Sequence, residues 1–290
     1  MNVLRCILCA GMVTCGAFLQ AMDWPSPGGI MAGNFGSNNE GSPLLGNAFE
    51  SEGSVTAADR GELLFRRRFQ DDCASRLPSP LGAWLALDHG DGIISIYSRI
   101  AEGDPANVPG GVEKNSPLGG AGTSGWSNKK GFYFSLFDRR ERRWINPSMI
   151  ISPMEDARPP LIISVRLTDT AGSSIDPGQT RTVSQGRYII SIGASDTLRE
   201  GGESPLAPHR IVCMVNGVEI GALNFETYSA RDGSLMVYRN GLIPVKEVFA
   251  PYPAWEVGEI RFTRGQAVLE VIAQDIAGNS RNAVFRLQVE

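Results

Sequence analysis

At 290 residues the chain is long enough to bury two separate cores. Its 42% apolar and 20% charged content is that of an ordinary folded protein, and a formal charge of −4 excludes nucleic-acid binding through bulk charge. With 34 Gly and 18 Pro among few helix-like periods, many turns and short strands are expected, and the fold class is all-β.

The chain opens on MNVLRCILCAGMVTCGAFLQA, where Arg5 precedes an apolar run from Cys6 to Leu19 and Ala21 precedes a polar, Pro-rich start. This pattern is a signal peptide over residues 1–21, with an apolar core too short to span a bilayer. Lipidation at Cys15 is the alternative, although Thr14 replaces the usual small residue before it. The mature chain is expected in the periplasm or cell envelope, with no transmembrane span. Outside this segment only Cys73 and Cys213 remain. They read as two buried thiols in separate domains, with a disulfide as the alternative.

Residues 22–41 form an extended lead-in, rich in Gly, Pro, Ser and Asn, with Phe35-Gly36 as its anchor. SVTAA and ELLFRRRF, separated by the turn Asp59-Arg60-Gly61, read as two adjacent antiparallel strands. After a loop at 71–80, LGAWLALD and GIISIYSRI flank His-Gly-Asp-Gly, a hairpin that holds His89, one of two histidines. Residues 101–126 are turn-dense. GFYFSLFD is an aromatic strand, followed by a tip with Arg139, Arg140, Arg142 and Arg143 and a closing Ile145-Asn146-Pro147. The polar segment SPMEDARPP, 152–160, is a linker. Beyond it LIISVRLTD, RYIISIGASD, HRIVCMVNGVEIGAL, SLMVYRN, PVKEVFA, GEIRFTRG and the C-terminal segment are strand-like at short intervals, as in an antiparallel sandwich. Asn216-Gly217 marks a tight hairpin, and 170–185 and 197–208 are expected to be long loops.

Five of these segments, in order, resemble the M23 zinc endopeptidases, which cleave peptidoglycan cross-links. GSVTAADRGELLF is similar to the family's Gly-x-Pro-Val and Ala-x-x-x-Gly-x-Val elements. The central hairpin is similar to its strand–His-Gly-x-Gly–strand unit ending in Tyr-x-His. VPGGVEKNSPLGGAGTSG follows the stretch leading to Gly-x-Thr-Gly, GFYFSLF resembles Gly-x-His-Leu-His-Phe-Glu-Val, and Ile145-Asn146-Pro147 resembles Val-Asn-Pro. The resemblance covers residues 34–151 and implies an M23-like antiparallel β-sheet core domain over 42–151. The ending VLEVIAQDIAGNSRNAVFRLQV is similar to the last hairpin of bacterial immunoglobulin-like domains, which implies an immunoglobulin-like β-sandwich over 161–290.

In the M23 family zinc is held by two His and one Asp, with a fourth position open for an acidified water. Anchored on Gly53 and Val55, the family's His-x-x-x-Asp falls on Pro43 and Asn47, its His-Leu-His on Phe132-Tyr133-Phe134, the following Glu on Leu136, and its Tyr-x-His on Tyr97-Ser98-Arg99. Pro and Phe offer no ligand atom, Asn offers a neutral carbonyl, and Arg stays protonated. Apart from any resemblance, His89 and His209 are the only imidazoles and lie in different expected domains, so neither domain can build a two-His centre with a His base. No catalytic residue, metal or cofactor is expected.

His89 then reads as a turn residue that bonds its own hairpin, and His209, after Ala-Pro at a strand start, as a surface or sheet-edge residue. Phe132 and Phe134 share a face by period two. With Asn47, His89 and Arg99 they form either the floor of a remnant groove or the packing that fills it. Arg66, Arg67 and Arg68, and more so the run Arg139, Arg140, Arg142 and Arg143, are either solvated faces or a patch for an anionic polymer. The resemblance implies a non-catalytic M23-like cell-envelope protein that binds peptidoglycan or regulates a cell-wall hydrolase. The alternatives are an active endopeptidase with an unrecognised site, and a structural or adhesion module acting through the immunoglobulin-like domain.

Overall fold

The computed structural model describes residues 22–26, 28–39, 41–68, 79–101, 109–127, 129–152, 154–198, 205–249 and 254–290. The expected signal peptide, Cys15 and Cys73 lie outside the described residues. Regular structure among them is strand, apart from two single 3-10 turns at Pro147–Met149 and Val245–Glu247. No helix among them is long and apolar enough to cross a membrane.

The first sheet grows around the central hairpin, Ala83–Asp88 and Ile93–Ile100. Its turn needs a left-handed backbone at Gly90, Asp91 and Gly92, and two of these three are the residue type that adopts it without strain. Period-two alternation buries Leu85, Leu87 and Tyr97 on one face. Gly131–Asp138 pairs with Ile93–Ile100 along its length, from Tyr133↔Ser98 to Asp138↔Ile93. Its other edge is shared: the first half pairs with Asn47–Glu50 and the second half with Arg143–Ile145. At Gly131 a Cβ would lie 1.9 Å from the Phe49 carbonyl oxygen, so only glycine permits this approach.

One pairing differs from expectation. Ser54–Thr56 pairs with Pro117–Gly120, and Gly61–Arg67 pairs instead with Ala83–Asp88 and Gly111–Val112. The two strands are separated by a buried step at Ala57 and Ala58. There the Ala57 N–H donates to the Ser116 carbonyl and the Ala58 N–H to the Tyr97 hydroxyl, so neither group is spare for a hairpin ladder.

Beyond the linker two sheets face each other. One contains Ser174–Ile175, Leu161–Asp169, Gly186–Ser195 and Ala254–Phe262 in that order; the other contains Thr182–Val183, Ser280–Val289, Gly265–Gln274, Arg210–Val215 and Val218–Asn224. Leu167, Ile190, Ile192 and Val257 meet Ile211, Leu269 and Val271 between them. Cys213 is a free thiol in this core, and burial pushes it up to about 12. The region 170–185 is not only loop, since its short strand Thr182–Val183 runs parallel to the last strand. PVKEVFA is a 3-10 turn in its centre rather than a strand.

The chain boundary at 152–160 is not a boundary in the sheet. Thr227–Arg231 pairs with Arg143–Ile145, and Ser234–Tyr238 and Leu242–Pro244 extend the first sheet further. In return Phe35 from the lead-in enters the sandwich core, 5.0 Å from Tyr228 between ring centroids. Asn34 and Ala207 exchange two hydrogen bonds, and Asn146 Nδ2 donates to the Phe225 carbonyl.

Candidate functional site

Strand pairing brings the motif positions together. Phe134 lies directly opposite Asn47 on one side and Tyr97 on the other, and Phe132 lies opposite Phe49. The side chains of this row leave no groove: Asn47, Tyr97 and Phe134 are 0% exposed and Phe132 is 1% exposed. Phe49 stacks on Phe132 at 4.8 Å and 7°, Tyr97 packs on Phe134 at 5.2 Å, and Trp24 from the lead-in covers Phe49 at 5.6 Å and Phe134 at 6.5 Å. Trp24 is itself tied down by donating to the Ser152 carbonyl. Of the two arrangements the sequence left open at Asn47, Phe132 and Phe134, the side chains adopt the packed one, with five aromatic rings in mutual contact. Asn47 is a tether in that core, its Oδ1 accepting the Phe35 N–H at 3.0 Å.

Arg99 is also displaced from the expected groove. It is the extra residue of a bulge between Ala83↔Ile100 and Trp84↔Ser98, with φ of +63°. The bulge breaks the period-two relation to Tyr97. Its guanidinium lies 5.6 Å from the ring centre of Tyr133, on the face opposite Phe132 and Phe134. Burial lowers its pKa, partly offset by Tyr133.

His89 closes a hydrogen-bond chain. Its Nδ1 is 2.8 Å from the Arg60 carbonyl and its Nε2 is 2.6 Å from Ser95 Oγ, which lies 3.1 Å from the Tyr97 hydroxyl. The carbonyl can only accept, so Nδ1 carries a proton. Both ring nitrogens are engaged in holding the hairpin to the Arg60 turn. Tyr97 is pushed up to about 12 by burial, so it stays a neutral member of the chain.

The basic tip is not a field of one sign. Arg139 pairs with Asp88 at 3.4 Å, Arg140 with Asp91 at 3.7 Å and Arg143 with Asp138 at 3.6 Å. The hairpin tip of His89–Gly92 docks on this turn through the Arg139 N–H and Gly92 carbonyl. Three of the four arginines thus have carboxylate partners, Asp88 and Asp91 from the central hairpin and Asp138 from the same turn, so the tip carries both signs of charge.

Sequence reasoning missed a seam site. Asp156, Asp196 and Asp275 bring carboxylate oxygens within 4.8 Å of one another, the one such grouping among the described residues that could hold a cation. Asp196 and Asp275 are 6% and 2% exposed. Neutral donors serve them: Asp196 accepts from the Thr197 N–H, and Asp275 from the Asn279 N–H and Nδ2. His209 lines the same seam, half-buried rather than on the surface, and shares with Ser148, Met149, Ile150 and Ile276 a cleft of about 430 Å³. Its burial lowers its pKa against the pull of Glu226 and Asp275. The three Asp come from separate segments, so no local motif announces them. Only the turn after Asp275 had a sequence signal.

Burial, with Asp156 and Asp275 nearby, raises Asp196 to about 7. A raised folded-state value means that folding retains a proton which the unfolded chain releases near pH 4. The stabilisation is complete below that pH and is lost as pH rises through about 7, with a slope of up to about 1.4 kcal/mol per pH unit. Asp196→Asn keeps the acceptor for Thr197 and fixes the neutral form. Denaturant unfolding at pH 5 and pH 8 should show wild type losing up to about 3 kcal/mol over this interval and the variant losing much less. His209 acts in the opposite direction, losing stability as pH falls, and is common to both proteins. Equal pH dependence in the two would refute the assignment.

A protein-family model without a descriptive name matches residues 159–290. No curated protein matches the chain in sequence. Among solved structures the chain is similar to a mutant catalytic domain of the prophage-encoded M23 protein EnpA from Enterococcus faecalis, with 14% identity over 44% of this chain and 95% of that one and a TM-score of 0.36. It is similar to a zinc-containing peptidase from Vibrio cholerae at 17% identity, 44% of this chain, 39% of that chain and a TM-score of 0.36. It is also similar to a chain of the SpoIIQ–SpoIIIAH pore-forming complex at 16% identity, covering 45% and 90%, with a TM-score of 0.35.

Proposed function

We propose that this chain is a non-catalytic protein on the M23 scaffold, working in the cell envelope by contacting peptidoglycan or a partner cell-wall hydrolase. The observation that carries the reading is the row Asn47–Phe134–Tyr97. The pairing that would gather a ligand set is kept, while its side chains are one tethered amide and two packed rings. The donor set does not fit zinc. The Asn47 carbonyl oxygen holds the Phe35 N–H, Phe132 and Phe134 bring no ligand atom, and both nitrogens of His89 are engaged. With the floor filled, contacts to a ligand or partner fall to the outer surfaces.

The second unit reads as immunoglobulin-like. Support comes from its order of strands in two facing sheets, from the short strand Thr182–Val183 parallel to the last strand, and from the Asp275-to-Asn279 turn that joins the final pair.

The test uses the purified full chain. Elemental analysis should find substoichiometric zinc, cross-linked muropeptides should remain uncleaved, and either saturable co-sedimentation with purified sacculi or a changed rate of an envelope hydrolase should be seen. Stoichiometric zinc that is lost in His89→Ala, or cleavage of the muropeptides, overturns the reading.

A further inference from the structure

The outer face of the first sheet carries apolar residues that serve neither core. By period two, Trp84, Ala86 and Asp88 point away from the buried Leu85 and Leu87. Their ladder neighbours share that outer face, Phe65 and Glu62 on one side and Ile96 and Ile94 on the other. Phe65, Trp84, Ala86, Ile94 and Ile96 belong to neither of the two buried clusters. Phe65 is 50% exposed, and its ring lies 4.6 Å from that of Trp84, so the two form one surface. A contiguous apolar patch rimmed by charge marks an interaction face.

The charges of this face are placed diagonally. Arg99, swung onto it by the bulge, reaches Tyr133 at the Trp84 end, whereas Glu62 lies opposite Asp88 at the other end and on the other flank. Asp88 is paired with Arg139, and Arg67, opposite Trp84, is engaged within the chain. Arg99 is half-buried and Glu62 exposed, and neither has an ion-pair partner among the described residues. A cation and an anion thus stand at opposite corners, with Ala86 and its apolar neighbours between them.

We propose that this face binds a second copy of the chain. A two-fold axis lying on the face above Ala86, across the line from Arg99 to Glu62, sets Arg99 of each copy against Glu62 of the other and packs the two apolar centres together. The patch is complementary to itself. A uniformly acidic partner would meet Glu62 with like charge and a uniformly basic one would meet Arg99 so, which opposes association. The face lies on the side of the sheet away from the row Asn47–Phe134–Tyr97, so the inference stands apart from the proposed function.

Sedimentation velocity of the purified full chain should show a reversible monomer–dimer equilibrium with a dissociation constant below about 100 μM. Glu62→Arg alone and Arg99→Glu alone each put like charges at both symmetric contacts and should weaken it at least about tenfold. An equimolar mixture of these two variants pairs every corner with its opposite. It should form a heterodimer of near wild-type affinity, a rescue that damage to the fold cannot produce. Phe65→Asp, at a half-exposed position, should abolish the dimer from the centre of the face, with far-ultraviolet circular dichroism unchanged and Arg99 untouched. A wild type that stays monomeric at about 100 μM, a dimer unmoved by Glu62→Arg and Phe65→Asp, or two folded charge variants that do not associate when mixed would each overturn the proposal. Monomeric protein whose co-sedimentation with sacculi is lost in Phe65→Asp would overturn it in favour of a wall-facing surface.

Discussion

Phe132→His combined with Phe134→His, which returns imidazoles to the two motif positions, is expected to unfold the first unit rather than recreate a zinc centre. Each ring is fully packed, and loss of a buried Phe costs about 3–5 kcal/mol when truncated to Ala. Histidine refills part of the volume but buries a ring nitrogen with no partner in this apolar row, at about 1–3 kcal/mol each. The parallel stack of Phe132 on Phe49 is lost as well, worth about 1 kcal/mol. Even with partial relaxation the pair should cost about 5 kcal/mol or more, comparable with the whole stability of many domains. Zinc cannot offset this, because a third protein ligand is missing: Asn47 is committed to Phe35 and Pro43 has no donor atom. Thermal unfolding of the variant with and without added zinc measures both halves of the statement. A folded variant whose midpoint rises with one equivalent of zinc would show that the site is dormant and that the scaffold still closes around a metal.

What could be read from the residues alone follows from how local each signal is. The central hairpin was legible because alternation and His-Gly-Asp-Gly act within a few residues, and the opposition of Asn47 and Phe134 follows from the same register. The filling of the row was open in the sequence, because Trp24, the ring that covers it, arrives from a segment with no periodicity. Arg99 was placed on the wrong face since a bulge with a left-handed non-glycine residue leaves no mark in the pattern and shifts every later side chain. The ion pairs of Arg139 with Asp88 and of Arg140 with Asp91 depend on two hairpin tips meeting, which only the folded chain specifies, whereas Asp138 faces Arg143 across a single hairpin. The acidic seam combines three residues from the linker, a strand end and a turn, each unremarkable alone.

The second large effect concerns the continuity of the first sheet into the second half of the chain. A fragment spanning 159–290 retains both facing sheets but loses Arg143–Ile145, the ladder partner of Thr227–Arg231. It also loses Phe35, which packs with Tyr228 and Phe225 in the sandwich core, and Asn146, which satisfies the Phe225 carbonyl. Removing a ring of this burial costs about 3–5 kcal/mol, and the exposed edge is a template for pairing with another chain. The fragment is therefore expected to melt about 10–20 °C below the corresponding transition of the full chain, to self-associate, and to lose amide protection over 227–244 while Gly265–Gln274 and Ser280–Val289 stay protected. Phe35→Ala in the full chain should reproduce the destabilisation with the ladder intact, which separates the core contribution from the edge contribution. A monomeric fragment with the full-chain midpoint and protected amides at 227–244 would mean that the sandwich closes on its own and that the shared sheet is only an attachment. If the expected result holds, the two halves form one cooperative body. Binding tests on isolated halves would then report on damaged surfaces, so point substitutions in the whole chain are the sounder way to locate a partner.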